Sequence, residues 1–171
     1  MMTGPPLKGI WNLGNTCFAN ALFQALSSSA IFNDYTSEFL GSFHQPSPPL
    51  RFAADLSSLM RSLSQPRVSV GTAVHIADIV GAFPPHLQSR EREHDAQELL
   101  VFVRDQIDKS NKTLNEQPGI EGNRRNIFIG HFERQLRCTH CDCPKDSRFE
   151  SFEELILALP TTTSSDLTLS G

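Results

Sequence analysis

The chain has 171 residues, 39% hydrophobic and 20% charged, with a formal net charge of −4. That length suits one domain of ordinary size, and the acidic balance excludes the basic footprint of a nucleic-acid binder. No apolar run approaches the ~18–20 residues of a membrane span, and Met1 to Lys8 lacks a signal-peptide hydrophobic stretch. The expectation is therefore an intracellular protein, cytoplasmic or nuclear, whose four cysteines are reduced and serve catalysis or metal binding.

Residues 1–7 read as a tail, and the segment Gly9 to Leu26 then divides in two at Cys17. Before it, Gly14 and Asn15 tolerate left-handed turns, and Asn15 or Thr16 is suited to cap a helix. After it, Phe18, Ala21, Leu22, Ala25 and Leu26 recur at helical spacing and predict an apolar stripe. A thiol in the first turn of that helix faces unpaired N–H groups and the positive end of the helix dipole, which favours the nucleophilic thiolate. The bland alternative is a small cysteine buried as filler.

Pro46-Ser47-Pro48-Pro49 reads as a breaker ahead of a second amphipathic helix, marked by Phe52, Ala53, Leu56, Leu59, Met60 and Leu63. Thr72 to Val80 is a shorter helical piece, stopped near Gly81 and Pro84-Pro85. Asp95 is an N-cap or first-turn acid, with Glu98 three residues on in a capping-box position. Ala96, Leu99, Leu100, Val103 and Ile107 continue that helix as far as Lys109 and Ser110. Asn111 to Asn126 is polar and predicts a loop, turning at Pro118-Gly119. Ile127–Leu136 and Phe152–Leu159 predict strands, and Cys138-Thr139-His140-Cys141 between them is a Cys-x-x-Cys pair. Thr161 to Ser165 is too weakly hydrophobic to fold. Helices first and strands later give an α+β class.

The run from Asn12 to Leu26 resembles the cysteine box of the ubiquitin-specific proteases, the papain-like deubiquitinases. The resemblance implies a papain-like cysteine protease fold, with a helical thumb over 8–110, the loop 111–126, and the start of the palm and fingers over 127–160. Residues 161–171 would be a flexible tail or a truncated continuation. It also implies roles. Cys17 would attack the carbonyl of ubiquitin's last glycine, and Asn12 would donate to the oxyanion. Without the resemblance, Asn12 reads as a turn-former bonding its own backbone. Ala19 and Phe23 depart from the family pattern within the helix and read as repacking.

Glu93 to Leu100 resembles the family's Gln-x-Asp-Ala-x-Glu-Phe segment. There Asp95, with Glu98, would meet the basic ubiquitin tail through charge-assisted bonds, and His94 would line the cleft. Glu93 and Leu99 depart from that pattern. Cys138 and Cys141 match one half of the family's structural zinc ribbon, because two thiolates so spaced share one ion. A local site completed by Cys143 with His140 or His131 is the cramped alternative.

A papain-like site also needs a histidine to hold the proton. The family's Gly-His-aromatic box, downstream of a second zinc knuckle, has no counterpart here. Gly130-His131-Phe132 superficially imitates it but matches the family's Phe-x-Gly strand. The resemblance, covering residues 8–160, is thus to the N-terminal half of a catalytic domain, with exposed apolar edges and poor solubility expected of its strands. Two functions follow: a thiol deubiquitinase or a fragment of one, or an inactive ubiquitin-binding decoy.

Overall fold

The computed structural model describes residues 8–40, 47–65, 73–89, 91–116 and 126–155. The chain divides into two compact units, Met1–Ile127 and Phe128–Gly171.

The first unit is helical. Its elements are β1 (Gly9–Ile10), α1 (Cys17–Ser27), α2 (Ala30–Leu40), α3 (Pro48–Ser64), β2 (Ala73–Val74), α4 (Ala77–Gly81), α5 (Pro85–Gln88) and α6 (Ala96–Asn115). Helices α1, α2 and α6 all pack on α3, and their apolar faces make one core with Phe23, Leu50, Leu56, Met60, Leu63, Leu99, Val103, Ile107 and Leu114 fully buried. Aromatic rings bridge its elements. Phe83 lies between Phe23 of α1 (6.4 Å) and Phe102 of α6 (6.0 Å), and Phe102 meets Phe52 of α3 edge-on at 5.3 Å.

Several boundaries differ from the sequence expectation. Pro48 and Pro49 do not break the chain but occupy the first turn of α3, where the missing N–H costs nothing and the fixed φ suits the helix. The piece expected over 72–80 opens with the two-residue strand β2, parallel to β1 through Gly9↔Ala73 and Ile10↔Val74; only Ala77–Gly81 is helical, and Thr72 lies outside the described residues. The loop expected from 111 begins later, because α6 continues to Asn115. One face of its last turns is buried despite their polar sequence: Asn111 accepts a hydrogen bond from the Tyr35 hydroxyl at 2.8 Å, and Leu114 is fully buried. A paired buried polar group keeps a helix in the core as well as an apolar one does.

The second unit is an antiparallel hairpin, β3 (Gly130–Arg137) with β4 (Pro144–Phe152), from Gly130↔Phe152 to Arg137↔Pro144 with an irregularity at Leu136/Arg137. The second strand therefore ends at Phe152, where the sequence reading had it begin. Residues 153–155 are not strand, and 156–159 lie outside the described residues. Phe152 stacks on Phe132 at 5.5 Å, and its ring leaves no room for a Cβ at Gly130. Leu136 and Phe149 are exposed.

Candidate active site

The segment before α1 is held from two sides. Trp11 N–H donates to the Val74 carbonyl at 3.1 Å, extending the β1–β2 pairing. From α1, Gln24 Nε2 donates to the Lys8 carbonyl at 2.8 Å, and Asn20 Nδ2 reaches the carbonyls of Ile10 and Trp11 at 3.4 and 3.5 Å. Asn12 follows this tethered stretch directly. Gly14 (φ 94°) and Asn15 (φ 48°) are both left-handed, as the turn reading requires, and they fold the chain back upon Asn12.

The Asn12 side-chain carbonyl accepts three hydrogen bonds, from Gly14 N–H (3.1 Å), Thr16 N–H (3.2 Å) and the Thr16 hydroxyl (3.0 Å). Two of these donors are backbone amides that cannot accept, so the oxygen is assigned without ambiguity and the amide nitrogen is the other edge. The turn-former and the oxyanion-donor readings of Asn12 are thus compatible: the oxygen builds the turn, and the nitrogen has no partner among the described residues.

Thr16 is the N-cap of α1, yet its side chain makes no capping bond there. It turns back instead, accepting from Leu13 N–H at 3.0 Å. Cys17 is the first residue of α1 and is exposed, which overturns the filler reading. The buried face of α1 is rotated from the expected stripe. Phe18, Ala19, Leu22, Phe23 and Ser27 are buried, whereas Ala21 and Ala25 are exposed. The two family departures, Ala19 and Phe23, are thus core residues with no exposed surface.

Asp95 is the N-cap of α6, and its carboxylate accepts from Gln97 N–H at 2.8 Å. Glu98 does not complete a capping box. It pairs with His86 of α5 at 3.1 Å, both side chains about half exposed, a contact that sequence spacing gives no means of finding. His94 is half-buried; its Nε2 lies 3.0 Å from the Ser89 carbonyl, and its ring meets Phe18 edge-on at 5.2 Å. Phe18 follows Cys17 and His94 precedes Asp95, so this ring contact brings the cysteine box and the acidic helix together. The exposed Trp11, stacked on His75 at 6.2 Å, flanks the same turn.

Cys138 and Cys141 sit in the β3–β4 connection. Asp142 N–H bonds the Cys138 carbonyl at 2.8 Å and Cys138 N–H bonds the Cys143 carbonyl at 3.0 Å, closing a tight turn with Asp142 left-handed. The Cys141 thiol is held below its ordinary pKa by the Cys143 backbone N–H first, and then by the thiols of Cys143 and Cys138. Two thiols facing one another in a knuckle fit half of a tetrahedral zinc site. Cys143 Sγ also donates to the Cys141 carbonyl at 3.5 Å, and among the described residues no trio of His, Cys, Asp or Glu is grouped to hold a metal ion. The cramped local site is therefore not formed among them.

The chain is similar in sequence and in fold to known proteins. The human ubiquitin carboxyl-terminal hydrolase 27 is 32% identical over 146 residues, covering 79% of this chain and 32% of that protein. The human ubiquitin carboxyl-terminal hydrolase 30 is 27% identical over 194 residues, covering 92% and 37%. The chain thus spans about a third of the length of the curated relatives it matches. Among solved structures, the SAGA Ubp8/Sgf11/Sus1/Sgf73 DUB module bound to ubiquitin aldehyde matches with a TM-score of 0.58 at 20% identity, over 86% of this chain and 34% of that one. A second structure of that module, bound to monoubiquitin, matches with a TM-score of 0.58 at 19% identity, over 90% and 37%. At these identities the likeness establishes the fold, which is papain-like. The family model described as ubiquitin carboxyl-terminal hydrolase matches residues 8–162, and the chain belongs to that family.

Proposed function

We propose that this chain carries the nucleophile side of a thiol-dependent deubiquitinase acting on the bond after ubiquitin's C-terminal glycine. The observation that carries the reading is the exposed Cys17 at the head of α1, one residue beyond a turn built around Asn12. In this reading the Cys17 thiolate attacks the glycine carbonyl carbon. A carbon–sulfur bond forms as the carbonyl electrons move onto oxygen, and Cys17 N–H with Asn12 Nδ2 stabilises that oxyanion. Collapse breaks the carbon–nitrogen bond and expels the amine, which takes the proton that the general base removed from the Cys17 thiol; water then hydrolyses the thioester, freeing ubiquitin's carboxyl terminus and the thiol. Asp95 and Glu98 receive the basic tail, with His94 lining the cleft. The proton-holding histidine is the part that the resemblance assigns downstream of the zinc segment.

In the same reading Cys138 and Cys141 supply two of four thiolates to a structural zinc, whose contribution is to hold the hairpin tip, with no part in the chemistry. Free thiols throughout fit a cytoplasmic or nuclear setting.

The test is to incubate the full chain with ubiquitin bearing a C-terminal electrophile and record the intact mass. One added ubiquitin is expected, lost in Cys17→Ala. Ubiquitin binding without an adduct would favour the decoy reading, and neither binding nor adduct would remove both.

A further inference from the structure

Building on the proposed role of Asn12, we infer that Thr16 is the positioning residue of the oxyanion donor. A threonine at a helix N-cap ordinarily turns its hydroxyl onto the first-turn amides. Thr16 occupies that position and does not do this. Its hydroxyl donates to Asn12 Oδ1 at 3.0 Å and accepts from Leu13 N–H at 3.0 Å, while its own N–H donates to the same Asn12 oxygen at 3.2 Å. The residue is only 4% exposed, so the Thr16 side of these bonds is sheltered from competing water, whereas Asn12 itself is exposed. Both hydrogen-bonding functions of the hydroxyl are engaged.

The effect falls on one torsion. An asparagine carboxamide rotates in a broad two-fold well and presents either edge with similar ease. Three donors crowding Oδ1 remove that freedom, because a flip would set Nδ2 against two backbone N–H groups and a hydroxyl. Nδ2 then remains the one side-chain polar atom of Asn12 without a partner among the described residues. A donor fixed before substrate arrives stabilises a developing charge without reorganisation. The left-handed Gly14 and Asn15 belong to the same device, since that path returns Gly14 N–H and Thr16 to the oxygen. The Thr16 hydroxyl bonds Asn12 and Leu13 and not the neighbouring Cys17, so in this scheme it acts through Asn12.

The probe is ubiquitin aldehyde, whose reversible adduct with a thiol puts an oxygen where the oxyanion forms. Thr16→Val in the full chain is expected to weaken aldehyde binding about 10-fold or more, with Thr16→Ser restoring it. Affinity for ubiquitin with its ordinary carboxyl terminus should change by no more than about 2-fold, as befits a group felt only when charge develops. In an Asn12→Ala background Thr16→Val should add nothing further. Asn12→Asp keeps the oxygen and its three bonds but lacks the nitrogen, and it should lose as much aldehyde affinity as Asn12→Ala. A readout free of ubiquitin accompanies these. The heteronuclear NOE of the Asn12 side-chain ¹⁵N should be that of a rigid group in the parent and in Thr16→Ser, and should fall in Thr16→Val.

Aldehyde binding by Thr16→Val equal to the parent's, or a loss that persists in full without Asn12, overturns the inference. So does an Asn12 side chain equally rigid in Thr16→Val. A parent chain that ignores the aldehyde overturns the functional reading instead, and the NOE then decides the positioning by itself.

Discussion

Cys17 and the Cys138–Cys143 turn both offer free thiols at the surface, yet they are held in opposite ways. Cys17 opens a helix whose next two residues, Phe18 and Ala19, are buried in a core shared with α3 and α6. Its upstream loop is tied to α1, to β2 and to itself by hydrogen bonds. The hairpin thiols rest on two backbone hydrogen bonds in a connection between strands whose side chains are largely exposed. In the proposed reading the nucleophile must be placed before the substrate comes, so packing does it, whereas metal ligands are ordered by the ion they bind and need only a short turn.

Deleting the packing on each side should separate the two regions most sharply. Phe23→Ala removes a ring with no exposed surface that bridges to Phe83 and is expected to destabilise the helical unit by about 3–5 kcal/mol. Phe149→Ala, at a residue 77% exposed, should shift stability by about 0.5 kcal/mol or less. Urea unfolding of both variants checks this, and comparable losses would mean that the hairpin is as well packed as the helices.

Substitutions at Asp95 sharpen the comparison at the cleft. Asp95→Ala removes the α6 cap at Gln97 N–H and should cost about 0.5–2 kcal/mol, whereas Asp95→Asn preserves capping. If Asp95 also meets the basic tail, Asp95→Asn will weaken ubiquitin binding at unchanged stability. Equal affinity in calorimetry would leave capping as its whole role.

The smallest expected effect lies on α3. Partial burial raises the pKa of Asp55 above the ordinary carboxylate range; Arg51 opposes this and Asp78 adds to it. A carboxyl whose pKa is raised by folding contributes favourably below its unfolded value, near ~3.9, and that contribution is lost as pH rises through the folded value. At neutral pH the ionised group is therefore a cost. Asp55→Asn is expected to stabilise the chain by under about 1 kcal/mol at pH 7, with the gain fading toward about pH 3. A gain that grew on acidification would reverse the sign.

What the sequence made legible was local. The turn at Gly14 and Asn15, the helix after Cys17, the Asp95 cap and the α6 stripe through Ile107 all follow from residue type and spacing, and each is observed. What escaped depends on partners remote in the chain. The β1–β2 pairing joins two dipeptides more than sixty positions apart. The end of α6 is polar in sequence, yet Leu114 lies in the core and Asn111 is buried against the Tyr35 hydroxyl. Glu98 found His86 instead of its own helix start. Thr16 was visible as a cap, but the direction of its hydroxyl was not, because helix and turn compete for it at similar energy.

In the proposed reading one thiol of four is built to receive a ubiquitin terminus. Site-resolved mass spectrometry after treatment with a ubiquitin C-terminal electrophile tests it most directly. Modification is expected at Cys17 alone, with Cys138, Cys141 and Cys143 untouched, although Cys141 and Cys143 are exposed as Cys17 is. Adducts spread over the hairpin thiols, or absent from Cys17, would contradict it.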